Sequence, residues 1–462
     1  MPVTVDLLLA GGTVLTVDAQ RRIYRDGAVA VRGSQIVAVG KRTELASQYQ
    51  APEVRDCRGK LVMPGLVNSH LHFYHTMHRG LAPEDLGGWL WSNYVHGKIA
   101  TVLTPEDEIS GGLVVLIEAL KCGTTTFLEA GSYSPAAVIE GVSQIGMRGL
   151  MGRRCFDQAI LDHAMLIEDT DTCVRENEKF LKTYRDGYGG GLIRACVDIV
   201  GLGRCTNRLY VESKRMADEY GAVLNLHLAA MTEEVTDTRM RTGFRPVENL
   251  YRLGVLGPNV VLVHMVHVAD REIRMLAETR ANVVHCPSTA LKLNYELSSK
   301  GRFPEMLEHG VNVALGSDAS DCSNHADMVR TMYLAAVLPK DYRNDAGVMD
   351  AETAVEMATV NGAKAIGMER EIGSLEPSKK ADIIILDTRR ADWCPNYSVV
   401  QNLVYSAGGD SVETAYIDGR LVMDRRRVLT VDGDEVVERC NALAEKLLAR
   451  SGVTVPSRWP IL

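Results

Sequence analysis

The middle of this chain alternates apolar strand-like runs with amphipathic helical stretches, and that alternation leaves few folds open. The runs fall at 124–128, 192–200, 223–228, 260–264, 282–285 and 312–316. Strands separated by helices over about 300 residues predict an α/β protein with a parallel sheet closed into a (β/α)8 barrel, a fold that usually takes about 250 residues. Both ends of the chain read differently. Segment 6–17 is β-rich around a Gly11-Gly12 turn, and 28–31 with 35–39 flank the turn Arg32-Gly33-Ser34 as a hairpin. The same texture returns at 381–386 and 414–423. The expected division is therefore a composite β-sandwich from 1–60 and 368–430, a barrel at 61–367, and a C-terminal helix and tail at 431–462.

In a parallel barrel the functional groups gather at the C-terminal ends of the strands. His70 and His72 end the first run, two residues apart, so both imidazoles leave an extended strand on the same face. His227, His264 and His285 end later runs, and Asp318 follows 313–317. One histidine in such a place is ordinary core chemistry. Five imidazoles and a carboxylate at strand ends point to a divalent metal, because borderline cations take this donor set.

Composition narrows the setting. With 46% hydrophobic residues and interspersed charge, the chain reads as a globular enzyme. A net charge of −8 without a Lys or Arg block argues against a nucleic-acid surface. The apolar run 7–9 is far too short for a signal or membrane span. Ten cysteines without a Cys-x-x-Cys pair read as reduced, mostly buried thiols, hence a cytoplasmic address and no membrane partner.

Several motifs together resemble the amidohydrolase superfamily. They are the His70-Leu71-His72 opening, the His227 strand, Val263-His264-Met265-Val266-His267, His285-Cys286-Pro287-Ser288-Thr289-Ala290-Leu291-Lys292-Leu293, Leu315-Gly316-Ser317-Asp318, and Gly373-Ser374-Leu375-Glu376-Pro377-Ser378-Lys379-Lys380-Ala381-Asp382. Their order is similar to the branch of chlorohydrolases and cyclic aminohydrolases. The resemblance implies that His70, His72, His227 and Asp318 bind one divalent cation, zinc above all, with iron, cobalt or manganese as alternatives. His264 would contact the reacting water or the substrate. Two-metal relatives carry a bridging carboxylated Lys on the fourth strand; here that strand offers Arg194, which cannot form the carbamate. The implied catalytic pair is Asp318, receiving the proton of an attacking water, and His264, polarising the group attacked.

The chain also departs from the deaminases of that branch. They carry a Glu three residues after the fifth-strand His, where this sequence has Ala230; Glu233 and Glu234 beyond it suit the dipole of a helix start. After the fourth strand, Leu202 lies in the stretch where relatives place a substrate-contacting His, and Ala290 replaces an Asn. The cluster Trp89, Trp91 and Tyr94 is expected to wall an apolar or aryl pocket, in a chain with four tryptophans. Together with His264, His285 and Leu202, those aromatics are the expected substrate contacts. His75 and His78 read as polar residues of a loop or exposed helix, His96 and Lys98 stay open, and Glu129 is either a partner to a ligand histidine or structural.

These features are most similar to phenylurea and thiocarbamate hydrolases. The expected function is thus hydrolysis of a C–N or C–S bond in an N-substituted urea, carbamate or thiocarbamate. The alternative is deamination or dechlorination of a nitrogen heterocycle such as a triazine, purine or pyrimidine. A homo-oligomer with a small-molecule substrate bearing an apolar or aryl group is expected.

Overall fold

The computed structural model describes residues 2–82, 86–87, 95–159 and 166–460. Eight parallel strands form the barrel: β1 (Leu66–His72), β2 (Thr124–Ser132), β3 (Arg148–Arg153), β4 (Ile193–Ala195 with Val197–Gly201), β5 (Leu224–Leu228), β6 (Val260–His264), β7 (Asn282–His285) and β8 (Asn312–Leu315 with Asp318–Ala319). Every residue of β1, β2, β5, β6 and β7 is buried, since helices cover the outside and side chains fill the inside.

Two strands are broken, a feature the continuous runs 192–200 and 312–316 did not predict. β4 consists of Ile193–Ala195, which pairs with β3, and Val197–Gly201, which pairs with β5. β8 consists of Asn312–Leu315, paired with β7, and Asp318–Ala319, which pairs back to β1 through Asp318↔Leu71 and Ala319↔His72. The second piece of β8 closes the ring. Gly201 allows the end of β4 to approach β5: a Cβ there would lie 2.0 Å from the His227 carbonyl oxygen, and its φ is +72°.

The two termini share one mixed nine-stranded sheet. Strand Ile383–Asp387 lies antiparallel between Lys60–Pro64 and Val412–Ile417, so C-terminal sequence is stitched into N-terminal sequence. The expected hairpin forms between Ile23–Arg32 and Gln35–Lys41. Gly11-Gly12 makes no turn. Leu7–Leu15 runs through it as one strand, with a register shift between Ala10 and Gly12 and Gly11 at φ +89°. A bulge, not a reversal, uses the glycine there.

Helix Pro105–Lys121 follows β1. It begins with Thr104 at the N-cap, Pro at the first position and a reciprocal Thr104–Asp107 capping box. The final helix, Gly433–Ser451, buries Leu443 and Leu447 against Met77, Leu81, Val95 and Ile99. The ten cysteines carry no disulfide. Among the described residues no helix is long and apolar enough to cross a membrane.

Candidate active site

The strand-end rule holds in three dimensions. His70 and His72 from β1, His227 from β5, His264 from β6 and Asp318 from the closing piece of β8 converge at one end of the barrel, all at most 4% exposed. Asp318 Oδ1 lies 3.3 Å from His70 Nε2 and 3.6 Å from His72 Nε2, while Oδ2 lies 3.9 Å from His264 Nδ1. Donor atoms of His70, His72 and Asp318 sit within 4.8 Å of one another, and so do those of His70, His227 and His264.

The orientation of each ring has a local cause. His227 Nδ1 donates to the Val200 carbonyl at 2.7 Å, which fixes the tautomer and turns Nε2 inward. That Nε2 faces His72 Nε2 at 3.2 Å. Asn68 donates to Ser317 Oγ at 2.7 Å and accepts from the Ser317 amide at 3.0 Å, tying β1 to the residue before Asp318. The Ala319 amide donates to Asp318 Oδ1 at 2.7 Å. Five non-glycine residues around the site adopt left-handed backbone: Leu202, Ala229, His264, Met265 and Asp318. Such strain, concentrated where side chains must converge, is common at functional sites.

Burial pushes the imidazoles of His72 and His227 well below the usual range and takes His264 down to about 4, so all three stand neutral. Burial would raise the Asp318 carboxyl, but the imidazoles beside it, His70 first and then His264 and His227, hold it far below the carboxylate range. Both ring nitrogens of His70 and Nδ1 of His264 are buried without a hydrogen-bond partner among the described residues. Neutral imidazoles aimed inward, a carboxylate kept ionised and orphaned ring nitrogens are the donor set a divalent cation would satisfy.

A narrow cavity of about 60 Å³ opens beside these groups, lined also by Leu202, Met231, Tyr295, Arg154 and Arg204. A larger cavity of about 660 Å³, bordered by Thr232, Arg245, His267 and Lys300, contains none of the converging groups named above; despite its size it is the poorer candidate, because it lacks their chemistry.

Leu202 lines the narrow cavity as expected. His285 ends β7, but its ring stacks on Phe303 at 3.6 Å between centroids and is not among the residues lining the cavity. Trp89, Trp91 and Tyr94 lie outside the described residues. Arg194 does not occupy the position argued for it. Its guanidinium pairs with Glu371 at 2.8 Å, and Val200 is the β4 residue at the cavity. The break at Cys196 separates the two pieces of β4, and the side chain that this strand brings to the cavity is apolar, not a Lys.

Ala230 is fully buried and offers no carboxylate; Glu234 is turned back to accept from the Ala229 and Ala230 amides at 2.9 and 2.8 Å. Glu129 accepts from the Gly131 amide and the Ser132 hydroxyl. His75 and His78 are buried, contrary to their reading as exposed polar residues. Arg154 and Arg204 were missed altogether. Arg154 directly follows β3, so the rule that found the histidines reaches it too; its guanidinium lies over the rings of Tyr74 and Tyr133.

A barrel with imidazoles and one carboxylate converging on its strand ends defines a metal-dependent hydrolase scaffold. Residues 61–422 match the amidohydrolase family, and 27–49 match an imidazolonepropionase-like composite domain of bacteria. The chain is 35% identical over 442 residues to a 5-methylthioadenosine/S-adenosylhomocysteine deaminase of Syntrophobacter fumaroxidans, covering 96% of this chain and 98% of that one. It is 32% identical to a 5'-deoxyadenosine deaminase of Methanosarcina acetivorans, covering 96% and 99%. The crystal structure of an adenosine deaminase from Xanthomonas campestris with bound zinc superposes with a TM-score of 0.89 at 29% identity, over 98% of this chain and all of that one. The chain belongs to the amidohydrolase family and is a hydrolytic enzyme acting on C–N bonds. These relatives are nucleoside deaminases, which corrects the closer likeness to phenylurea and thiocarbamate hydrolases drawn from missing polar residues and aromatics. Absences in a motif say what a site lacks, and they identify a substrate poorly.

Proposed function

We propose that this chain is an aminohydrolase that releases ammonia from an adenosine-type nucleoside, using one divalent ion, zinc in the first instance. The observation that carries the reading is whole-length similarity to deaminases of such nucleosides in a chain whose inward-facing histidines and aspartate converge at the barrel mouth. His70, His72, His227 and Asp318 would hold the ion, which supplies a Lewis acid able to make water reactive near neutral pH.

The remaining work falls to side chains. Asp318, ionised and beside the attacking water, takes its proton and returns it to the departing amine. His264, neutral at working pH, hydrogen-bonds the oxygen being added and holds it in line. Arg154 and Arg204 present cationic groups to polar parts of the substrate, and Leu202 and Met231 exclude solvent.

Ala230 favours a second reading, in which a C–N or C–S bond of an N-substituted urea, carbamate or thiocarbamate is cleaved. An acid that protonates a ring nitrogen has no place at that position. One panel separates the two. The zinc-loaded enzyme is offered 5'-methylthioadenosine, S-adenosylhomocysteine, 5'-deoxyadenosine and adenosine, then a phenylurea and a thiocarbamate. Ammonia with the ultraviolet change of adenine-to-hypoxanthine conversion is expected from the first group. Aniline or thiol from the second group, with no ammonia from the first, would replace the deaminase reading by its rival.

A further inference from the structure

His75, His78 and His96 form a cluster that the catalytic reading does not use. The 3-10 turn Tyr74–His78 follows β1 directly. Three residues make one turn of such a helix, so positions 75 and 78 lie on the same side. His96, entering from just before the short helix Gly97–Ala100, brings a third ring. Its ring stacks on His75 at 4.8 Å and 7°, and the His78 ring lies 5.9 Å away. One nitrogen from each of the three falls within 4.8 Å of the others, and all three side chains are buried.

Asp321, fully buried in the segment after β8, braces this cluster. Its carboxylate accepts from His75 Nδ1 at 3.0 Å and from His78 Nδ1 at 3.2 Å. A carboxylate on one ring nitrogen is the usual support for an imidazole that binds metal through the other. His78 Nε2 is buried with no hydrogen-bond partner among the described residues, and the Tyr74 hydroxyl lies 2.9 Å from His75 Nε2. A simple hydrogen-bonded network would leave that His78 nitrogen unsatisfied at a cost; a cation satisfies it.

We propose that His75, His78 and His96, held by Asp321, bind a second divalent transition-metal ion beside the first. The site shares no ligand with the set His70, His72, His227 and Asp318, although the His72 and His75 rings are only 4.7 Å apart. It also differs from a second ion bridged by a β4 lysine, since Val200 stands at that place. Three imidazoles select zinc, copper, nickel, cobalt or iron over magnesium and calcium. Because His75 and His96 line the narrow cavity, the ion would put a second Lewis-acidic centre in its wall. The proposal does not depend on the substrate.

The test counts metal. Chelator-stripped full-length protein is titrated with zinc against a competing indicator. The wild-type chain should take two equivalents, His78→Gln/His96→Gln one, and His70→Asn/Asp318→Asn one. A wild-type chain that saturates at one equivalent, or a His78→Gln/His96→Gln variant that still takes two, overturns the proposal. Should the variants fail to fold by circular dichroism, anomalous scattering from zinc-soaked wild-type crystals decides. A peak among His75, His78 and His96 supports the site, and a single peak at His70, His72, His227 and Asp318 removes it.

Discussion

Asp318 is surrounded by imidazoles that keep its carboxylate charged in a place where burial alone would neutralise it. Asp318→Asn keeps the shape and removes the charge and the base. It should lower kcat by at least about 100-fold, as loss of a general base does, and cut zinc content measured on the same sample. Asp198 makes the opposite case. Burial pushes its carboxyl up to about 7, with Asn225 as a hydrogen-bond donor and Arg154 nearby. The folded chain therefore holds a proton that the unfolded chain releases near pH 4. Stability falls as pH rises from about 4 to about 7 and then levels, by on the order of a few kcal/mol. Asp198→Asn should flatten that slope in thermal melts taken across the window. The convergent histidines were legible because they end apolar runs, His70 and His72 sharing one, a property of one dimension. His75 and His78 were not, because what buries them comes from elsewhere: Asp321 from beyond β8 and the C-terminal helix from the far end of the chain. Arg154 directly follows β3 and so is open to the same strand-end rule as His227.

Among the elements, the final helix is the most instructive. Leu443 and Leu447 pack on Met77, Leu81, Val95 and Ile99, Cys440 Sγ lies 3.6 Å from Met77 Sδ, and Arg450 pairs with the buried Asp107 of the helix after β1. This helix presses the turn that carries His75 and His78 against the barrel. Leu447→Ala should cost about 2–5 kcal/mol in denaturant unfolding. It should also speed hydrogen exchange at the amides of Thr76, Arg79 and Leu81, which are bonded within that turn. The helix was legible from its amphipathic pattern, but its docking face was not, since nothing in 434–451 names the partner it covers. The breaks in β4 and β8 were hidden for a related reason. Apolar runs report burial, and both halves of each split strand are buried apart from Arg194 and Asn312, which are half-buried.

For the whole molecule, one ion-pair network couples the barrel to the sheet built from both chain ends. Arg148, the first residue of β3, donates to Asp382 at 2.7 and 3.1 Å and to Asp418 at 3.1 Å, and the Asp418 amide donates to Asp382 at 2.8 Å. Arg148→Ala would strand a buried carboxylate and should cost about 3–5 kcal/mol, read by chemical denaturation. The barrel was legible in the rhythm of its strands and helices; the interleaving of Ile383–Asp387 with Lys60–Pro64 could be suspected only from matching texture at two ends. The closing piece of β8 has a further meaning. Asp318 pairs with β1 in the same two-residue joint where His70 and His72 meet it, so the barrel is a belt and the proposed catalytic ion its buckle. A cation gripping the first and last strands ties ends that lie almost the whole barrel apart in sequence, where closing a long loop contributes most. Chelation should therefore lower the melting temperature and open the β1–β8 joint first, seen as faster exchange at Asp318 and Ala319 while the β2–β3 pairing stays protected.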